Sequence, residues 1–201
     1  QSPPNNRINI PSDRPWQGLP ALDLNVWKLP EQFAAYSLFS KGGMAAQDIQ
    51  PIFMYSNGQN LRENSLGGVY AEVETLNSEF AENHFPMDNG GNLYKGRRAS
   101  ESPPEYPPGG QGGGLQYWGT DTLPYVSYEK ETNKSAQDWS DIINLTFQLN
   151  NSPNETFLAD VGQVVNIDQW LRAIGMHEFL NDEADGLFLG FEPVADEYAL
   201  Y

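Results

Sequence analysis

Apolar and polar residues begin to alternate regularly only after an irregular opening segment. Residues 1–19 are rich in Pro, Asn and Ser, and one alternating patch at Ile8 and Ile10 predicts a short strand there. The stretch Leu22-Asp23-Leu24-Asn25-Val26 then alternates strictly, as a half-buried strand does. We therefore expect the folded domain to begin near residue 20.

A helical pattern follows this strand, and a second strand pattern comes after the helix. A helix is predicted over residues 30–40, with Pro30 in its first turn and Gly42-Gly43 as its stop. Its apolar positions are Leu29, Phe33 and Tyr36. Residues 49–55 predict a strand that ends in the turn Ser56-Asn57-Gly58.

The strand predicted over residues 69–74 carries two carboxylates on one face. Period-two geometry separates the set Val69, Ala71, Val73 from the set Tyr70, Glu72, Glu74. Residues 80–91 predict a helix or turn that passes into a loop, and residues 92–95 predict a short strand. The segment 20–99 is thus expected to be rich in strands.

A Pro- and Gly-rich stretch separates this part from the rest of the chain. Residues 101–114 read ESPPEYPPGGQGGG, which predicts a flexible loop over residues 100–114. The glycines lack the Gly-Lys-Ser/Thr ending of a phosphate-binding P-loop and the spacing of a dinucleotide-binding turn. A nucleotide-cradling role for this loop is therefore disfavoured.

Helical patterns dominate the remaining segment, residues 115–201. Helices are predicted over residues 136–149 and 156–164, and a third opens at Asn166, an N-cap with Gln169 three residues later. The third helix has an apolar face made of Trp170, Leu171, Ile174 and His177. Because strands come first and helices afterwards, the order predicts an α+β fold rather than alternating βαβ units.

Composition narrows the class of partner. The chain has 201 residues, 39% of them hydrophobic, and a formal charge of −16. Such a charge disfavours nucleic acid and anionic membranes as partners. No run approaches the roughly 20 apolar residues of a membrane span. The absence of cysteine excludes disulfides and thiolate metal sites but leaves the compartment open.

Several short motifs follow one another from about residue 20 onward. They are Leu22-Asp23-Leu24-Asn25, Tyr55-Ser56-Asn57-Gly58, the Gly-x-Tyr-x-x-x-Glu strand of residues 68–74, Gly91-Asn92-Leu93-Tyr94-Lys95, Ile167-Asp168-Gln169-Trp170-Leu171, Asp185-Gly186 and Tyr198-Ala199-Leu200-Tyr201. Taken in this order, they resemble the CotH kinase-like family of atypical protein kinases. Each motif alone is weak, and the force of the resemblance comes from their order.

The resemblance implies a kinase-like fold that uses ATP and Mg²⁺ or Mn²⁺ to phosphorylate Ser or Thr hydroxyls of a protein. It implies that Lys95 binds phosphate and that Glu74 positions this lysine or reaches the metal, with Glu72 as second choice. Aromatic side chains for the nucleotide are Tyr70 and Tyr94, with Trp118 a further candidate. A secreted or extracellular location also rests on the resemblance.

The catalytic carboxylate of the family follows the long helix and precedes a small residue. Asp185, followed by Gly186, fits this rule and is implied to orient the attacking hydroxyl and to bind metal together with Glu74. Asp182, directly after Asn181, is the second choice. The family's Trp-Asp-x-Asp-type metal segment lies further downstream, so the 201 residues are expected to be the middle of a domain.

Less specific interpretations of the same residues stay open at this point. Lys95 is also compatible with an exposed strand-end lysine, Glu72 and Glu74 with the solvent face of a strand, and His177 with a hydrogen-bonded core histidine. The alternative function is a non-catalytic surface or matrix protein that keeps the fold for binding. A calcium-binding module is disfavoured, because no Asp-x-Asp-x-Asp-Gly loop is present.

Overall fold

The computed structural model describes residues 5–11, 13–16, 20–63, 68–96, 113–180 and 199–200. Its strands are β1 (Asn6–Asn9), β2 (Ala21–Asn25), β3 (Ile49–Phe53), β4 (Tyr55–Ser56), β5 (Gln59–Asn60), β6 (Val69–Val73), β7 (Tyr94–Gly96), β8 (Tyr128–Lys130) and β9 (Ala199–Leu200). Its helices are α1 (Leu29–Lys41), α2 (Ser78–His84), α3 (Ser140–Asn151), α4 (Phe157–Val161), α5 (Ile167–Leu180) and a 3₁₀ turn at Leu123–Ser127.

The chain forms two compact units, Gln1–Asn89 and Gly90–Tyr201. The first contains six strands of the described chain and two helices, and the second contains three short strands and three α-helices. The predicted α+β arrangement, with antiparallel strands first and helices later, is therefore confirmed.

The first unit is built on an antiparallel sheet with strand order β1-β2-β6-β3. Strand β6 is central, and period-two alternation sends its residues to both faces. Ala71 and Val73 pack with Leu29 of α1 on one face, whereas Tyr70 packs with Leu22 and Leu24 on the other. The two faces predicted for this strand are confirmed, and both are covered.

The tight turn predicted at Ser56-Asn57-Gly58 joins β4 to β5. Asn57 has φ 51° and Gly58 has φ 78°. Two consecutive residues with positive φ match the twist of a two-residue hairpin, and Asn-Gly is the sequence that adopts them most readily. The turn is thus explained by local chemistry alone.

The second unit combines a small antiparallel sheet, in the order β8-β7-β9, with the later helices. Its core contains three buried tyrosines, Tyr94, Tyr125 and Tyr128, together with Ile142 and Leu145 of α3. The N-cap predicted for α5 is confirmed, because the Gln169 N–H donates to Asn166 Oδ1 at 3.1 Å. Strand β9 is the strand expected after Asp185.

Two features of this unit were not predicted from the sequence. Strand β8 lies between the predicted elements; its alternation covers only three residues, and it becomes a strand by pairing with β7. On α5, Leu171 is 62% exposed and Ile174 is 46% exposed, so the predicted apolar face is not fully covered by the described residues. The predicted loop over residues 100–114 lies almost wholly outside the described residues.

Candidate functional site

Glu74 directly follows β6 and lines a cleft of the first unit. The space between the walls of the cleft is about 290 Å³ when the open solvent at its mouth is included. Its lining residues are Pro20, Ala21, Glu72, Glu74, Thr75, Asn77, Glu79 and Asn83. Three acidic residues and three uncharged polar residues therefore line this space, which we name the Glu74 cleft.

Both carboxylate oxygens of Glu74 accept hydrogen bonds. Oε1 accepts one from the Asn83 side-chain amide at 2.9 Å, and Oε2 accepts one from the Asp48 N–H at 3.1 Å. The His84 Nε2 atom lies 2.7 Å from the same Oε2. The Glu74 side chain is only 10% exposed, so these contacts fix its orientation.

Glu72 differs from Glu74 although both lie on the same side of the strand. Its backbone pairs with Leu24 on one side and Gln50 on the other, and the residue is only 5% exposed. The alternative that Glu72 faces solvent is therefore wrong. Burial raises the pKa of Glu72, the hydrogen bond from Gln50 lowers it, and neighbouring acids raise it further.

Tyr70 lies in the core of the first unit. The residue is 1% exposed, and the guanidinium of Arg62 lies 5.3 Å from the centre of its ring. Arg62 is itself buried and donates from Nη1 to the Val69 carbonyl. Because its ring is covered in this way, the burial of Tyr70 argues against stacking on an adenine.

Lys95 lies in the middle strand of the sheet in the second unit. Its backbone faces Glu129 of β8 on one side and Ala199 of β9 on the other. The residue is partly exposed, in contrast to its buried neighbours in β7. The alternation of a strand therefore directs Lys95 away from the core. Its role toward phosphate stays a prediction.

Tyr94 faces the opposite way, into the core of the second unit. It is 3% exposed, and its hydroxyl donates to Asp141 Oδ1 at 2.6 Å. Burial and the neighbouring carboxylate of Asp141 raise the pKa of Tyr94 well above its usual range. The other oxygen of Asp141 accepts a hydrogen bond from Asn92 at 2.7 Å. Tyr94 thus joins β7 to the first turn of α3, and its burial argues against stacking on a nucleotide.

A buried lysine, Lys130, was missed in the sequence. It is 6% exposed and donates to the carbonyls of Ala136 and Asp138. Its ammonium lies 5.6 Å from the ring centre of Tyr94 and 5.1 Å from that of Trp139. The signal that predicts this position is the short alternation in Tyr128-Glu129-Lys130, which places Lys130 on the same face as the core residue Tyr128.

A known protein family matches most of the chain. The family model described as CotH kinase protein matches residues 31–201. The chain belongs to the CotH kinase family. No curated protein sequence matches the chain. Membership supports a kinase-like function in general, as the ordered motifs predicted.

The remaining predicted residues are Asp182, Asp185, His177 and Trp118. Asp182 and Asp185 lie outside the described residues, between α5 and β9 in the chain. His177 belongs to α5. Trp118 is partly buried and packs against the core of the second unit. In the described part of the chain, no helix is long and apolar enough to cross a membrane.

A kinase-like family generally uses a divalent metal, and the described residues supply some of the ligands that such a metal needs. Mg²⁺ is usually held by one or two carboxylates together with substrate phosphates and water. Among the described residues, Oε1 of Glu74 accepts one hydrogen bond, from Asn83, and a carboxylate oxygen is a type of ligand that Mg²⁺ takes. No cluster of three or more His, Asp or Glu side chains suited to a metal occurs among the residues that the structure describes.

Proposed function

We propose that this CotH kinase domain transfers the γ-phosphate of ATP to a Ser or Thr hydroxyl of a protein, with Mg²⁺ or Mn²⁺ as cofactor. The observation that carries the proposal is the family match over residues 31–201, which includes Lys95, Glu74 and Asp185. The alternative is a non-catalytic surface or matrix protein with the same fold. We also propose a secreted or extracellular location, as for the CotH-like proteins that the sequence resembles.

Asp185 is the proposed carboxylate that orients the substrate hydroxyl and contributes to metal binding. In the transfer, the hydroxyl oxygen bonds to the γ-phosphorus and gives its proton to the Asp185 carboxylate, while the bond to the bridging oxygen of the leaving ADP breaks. The chain places Asp185 between α5 and β9, and β9 pairs with the strand that carries Lys95.

Lys95 is the proposed phosphate ligand. An ammonium at this position offsets the negative charge of the phosphate oxygens, and such electrostatic stabilisation is a major part of phosphoryl-transfer catalysis. Glu74 is the proposed carboxylate ligand of the metal. Magnesium, when bound, would neutralise phosphate charge, while the protein side chains orient the nucleotide and the acceptor.

The test is phosphate transfer by the full chain. Wild type and three variants, Asp185→Asn, Asp182→Asn and Glu183→Gln, are incubated with γ-labelled ATP, Mg²⁺ or Mn²⁺, and casein as acceptor. We expect Asp185→Asn to lose at least about 100-fold in rate, because a positioned acid or base contributes 10²–10⁴-fold in typical enzymes. Glu183→Gln removes a neighbouring charge and serves as the matched control.

Three results would change the assignment. Equal transfer by wild type and Asp185→Asn would remove the catalytic role of Asp185. Loss of transfer in Asp182→Asn alone would move that role to Asp182. No transfer into casein or into the chain itself, by any of the proteins and with either metal, would favour the non-catalytic alternative.

A further inference from the structure

His84 is held in one orientation by its own helix. Helix α2 begins at Asn77, whose side chain accepts the Phe80 N–H at 3.1 Å, and His84 is its last residue. The rings of Phe80 and His84, four residues apart, have centroids 4.3 Å apart at an interplanar angle of 35°. The imidazole therefore has little freedom to rotate away from its neighbours.

This orientation directs the imidazole at Glu74. The 2.7 Å contact between His84 Nε2 and Glu74 Oε2 is the shortest of the three hydrogen bonds that the carboxylate accepts from described residues. The two side chains are 18% and 10% exposed, so water competes weakly for the contact. Asn83, the residue before His84, binds the other oxygen. The end of α2 thus holds both oxygens of Glu74.

We infer that His84 is a positioning residue for Glu74, because its hydrogen bond holds the carboxylate in a fixed orientation for its role as the proposed metal ligand. The inference rests on the proposed function of Glu74. A hydrogen-bonding partner behind a ligand commonly changes metal affinity or activity by 10–100-fold when it is removed. His84 acts through the orientation of Glu74 and does not itself contact the nucleotide.

Two substitutions separate the effect of the His84 hydrogen bond from the effect of its aromatic ring. His84→Phe keeps an aromatic ring against Phe80 and removes the donor, whereas His84→Gln keeps an N–H donor at a similar reach. The affinity of the full chain for Mg²⁺–ADP is measured by calorimetry, and KM for ATP and kcat are measured in parallel. Glu82→Gln, an exposed change on the same helix, is the matched control.

We expect His84→Phe to weaken Mg²⁺–ADP binding about tenfold, with the loss in KM rather than kcat, and His84→Gln to stay within about twofold of wild type. In a Glu74→Gln background, His84→Phe should have no further effect, because its influence passes through Glu74. Thermal unfolding of each variant shows whether the fold is retained.

The inference is overturned if His84→Phe binds Mg²⁺–ADP as wild type does, if Phe and Gln weaken binding equally, or if the effect persists without the Glu74 carboxylate. These outcomes differ from failure of the proposed transfer, in which Mg²⁺–ADP binds but Asp185→Asn is as active as wild type. A wild-type chain that binds no Mg²⁺–ADP would overturn both.

Discussion

Glu72 and Glu74 lie two residues apart and occupy contrasting environments. Glu74 accepts hydrogen bonds from two side chains and a backbone N–H, which compensate its burial. Glu72 accepts one from Gln50 and is surrounded by the charges of Asp23, Glu74 and Asp48. The ionised form of Glu72 is therefore disfavoured in the folded protein, and this residue lowers stability when it is charged.

The first prediction is that Glu72→Gln stabilises the protein at neutral pH. The pKa of Glu72 is raised above its ordinary value of 4.5, so the folded state binds its proton more tightly than the unfolded state does. The destabilisation is absent at pH values below 4.5, appears as the pH rises through that value, and is complete above the folded-state pKa. Melting temperatures measured from pH 3 to pH 8 check this.

Glu82→Gln, which changes an exposed acid, controls for the general loss of negative charge. We expect Glu72→Gln to raise the melting temperature more than Glu82→Gln does near pH 7. This difference in melting temperature should disappear at the acid end of the range. A Glu72→Gln variant that melts at a lower temperature than wild type throughout the pH range would contradict the prediction. It would show that contacts other than the one from Gln50 stabilise the Glu72 carboxylate.

At the scale of elements, two glycines next to β-strands have the same backbone conformation for different reasons. Gly58 and Gly68 both have φ 78°. A Cβ at Gly58 would meet nothing within 4 Å, whereas one at Gly68 would lie 2.5 Å from the side-chain nitrogen of Asn60. Asn60 also accepts the Arg62 N–H at 2.8 Å, so its amide is held close to the start of β6.

The second prediction compares Gly58→Ala with Gly68→Ala. Gly58→Ala should cost about 1–2 kcal/mol, the conformational penalty of an L-residue in the left-handed region. Gly68→Ala should cost about 1–3 kcal/mol more, because the methyl group is overpacked against Asn60. In an Asn60→Ala background, the cost of Gly68→Ala should fall to that of Gly58→Ala. Urea unfolding of the wild type, the single variants and the Asn60→Ala/Gly68→Ala double variant measures these free energies of unfolding. Equal costs of Gly58→Ala and Gly68→Ala in the original background would contradict the prediction.

The elements differ in how far local sequence predicts them. Asn57-Gly58 and the Asn166 cap are formed within a few residues, so their chemistry is visible in the sequence. Strand β8 is not visible in this way, because three residues carry little periodicity and the pairing with β7 joins residues more than thirty positions apart. Long-range pairing is thus the reason why this element was missed.

The whole molecule is strongly acidic, with 27 acidic and 11 basic residues and a formal charge of −16. Mutual repulsion of the surface carboxylates favours the expanded chain, because unfolding separates like charges. Some carboxylates are paired with a neighbouring cation. Lys134 Nζ, for example, lies 2.7 Å from Glu131 Oε2. Such exposed pairs contribute little, so most of the repulsion is expected to remain.

The third prediction is that moderate salt stabilises the protein. The Debye length falls from about 30 Å at 0.01 M to about 8 Å at 0.15 M, which screens the repulsion. We expect the melting temperature to rise by about 2–4 °C over this range, equivalent to ~1 kcal/mol for a chain of this size. Choline chloride should act as sodium chloride does. A melting temperature that falls with both salts would show that net attraction between charges dominates.

Of the candidate residues, the sequence nominated Glu74, Lys95 and Asp185 through the ordered CotH motifs, and the match over residues 31–201 confirms the family. It did not predict His84 as the partner of Glu74, although the two residues are only ten positions apart. The contact depends on the angle between α2 and β6 and on the ring of Phe80. No local pattern encodes that angle.

The sequence by itself determined the family, the α+β order, the hairpin turn and the cap of α5, because these depend on motif order and on neighbours along the chain. Tertiary structure decided that Glu72, Tyr70, Tyr94 and Lys130 are buried. A strand pattern shows which residues share a face, but solvent exposure depends on what packs against that face. In this protein, distant segments cover both faces of β6, and that packing gives Glu72 and Glu74 different environments.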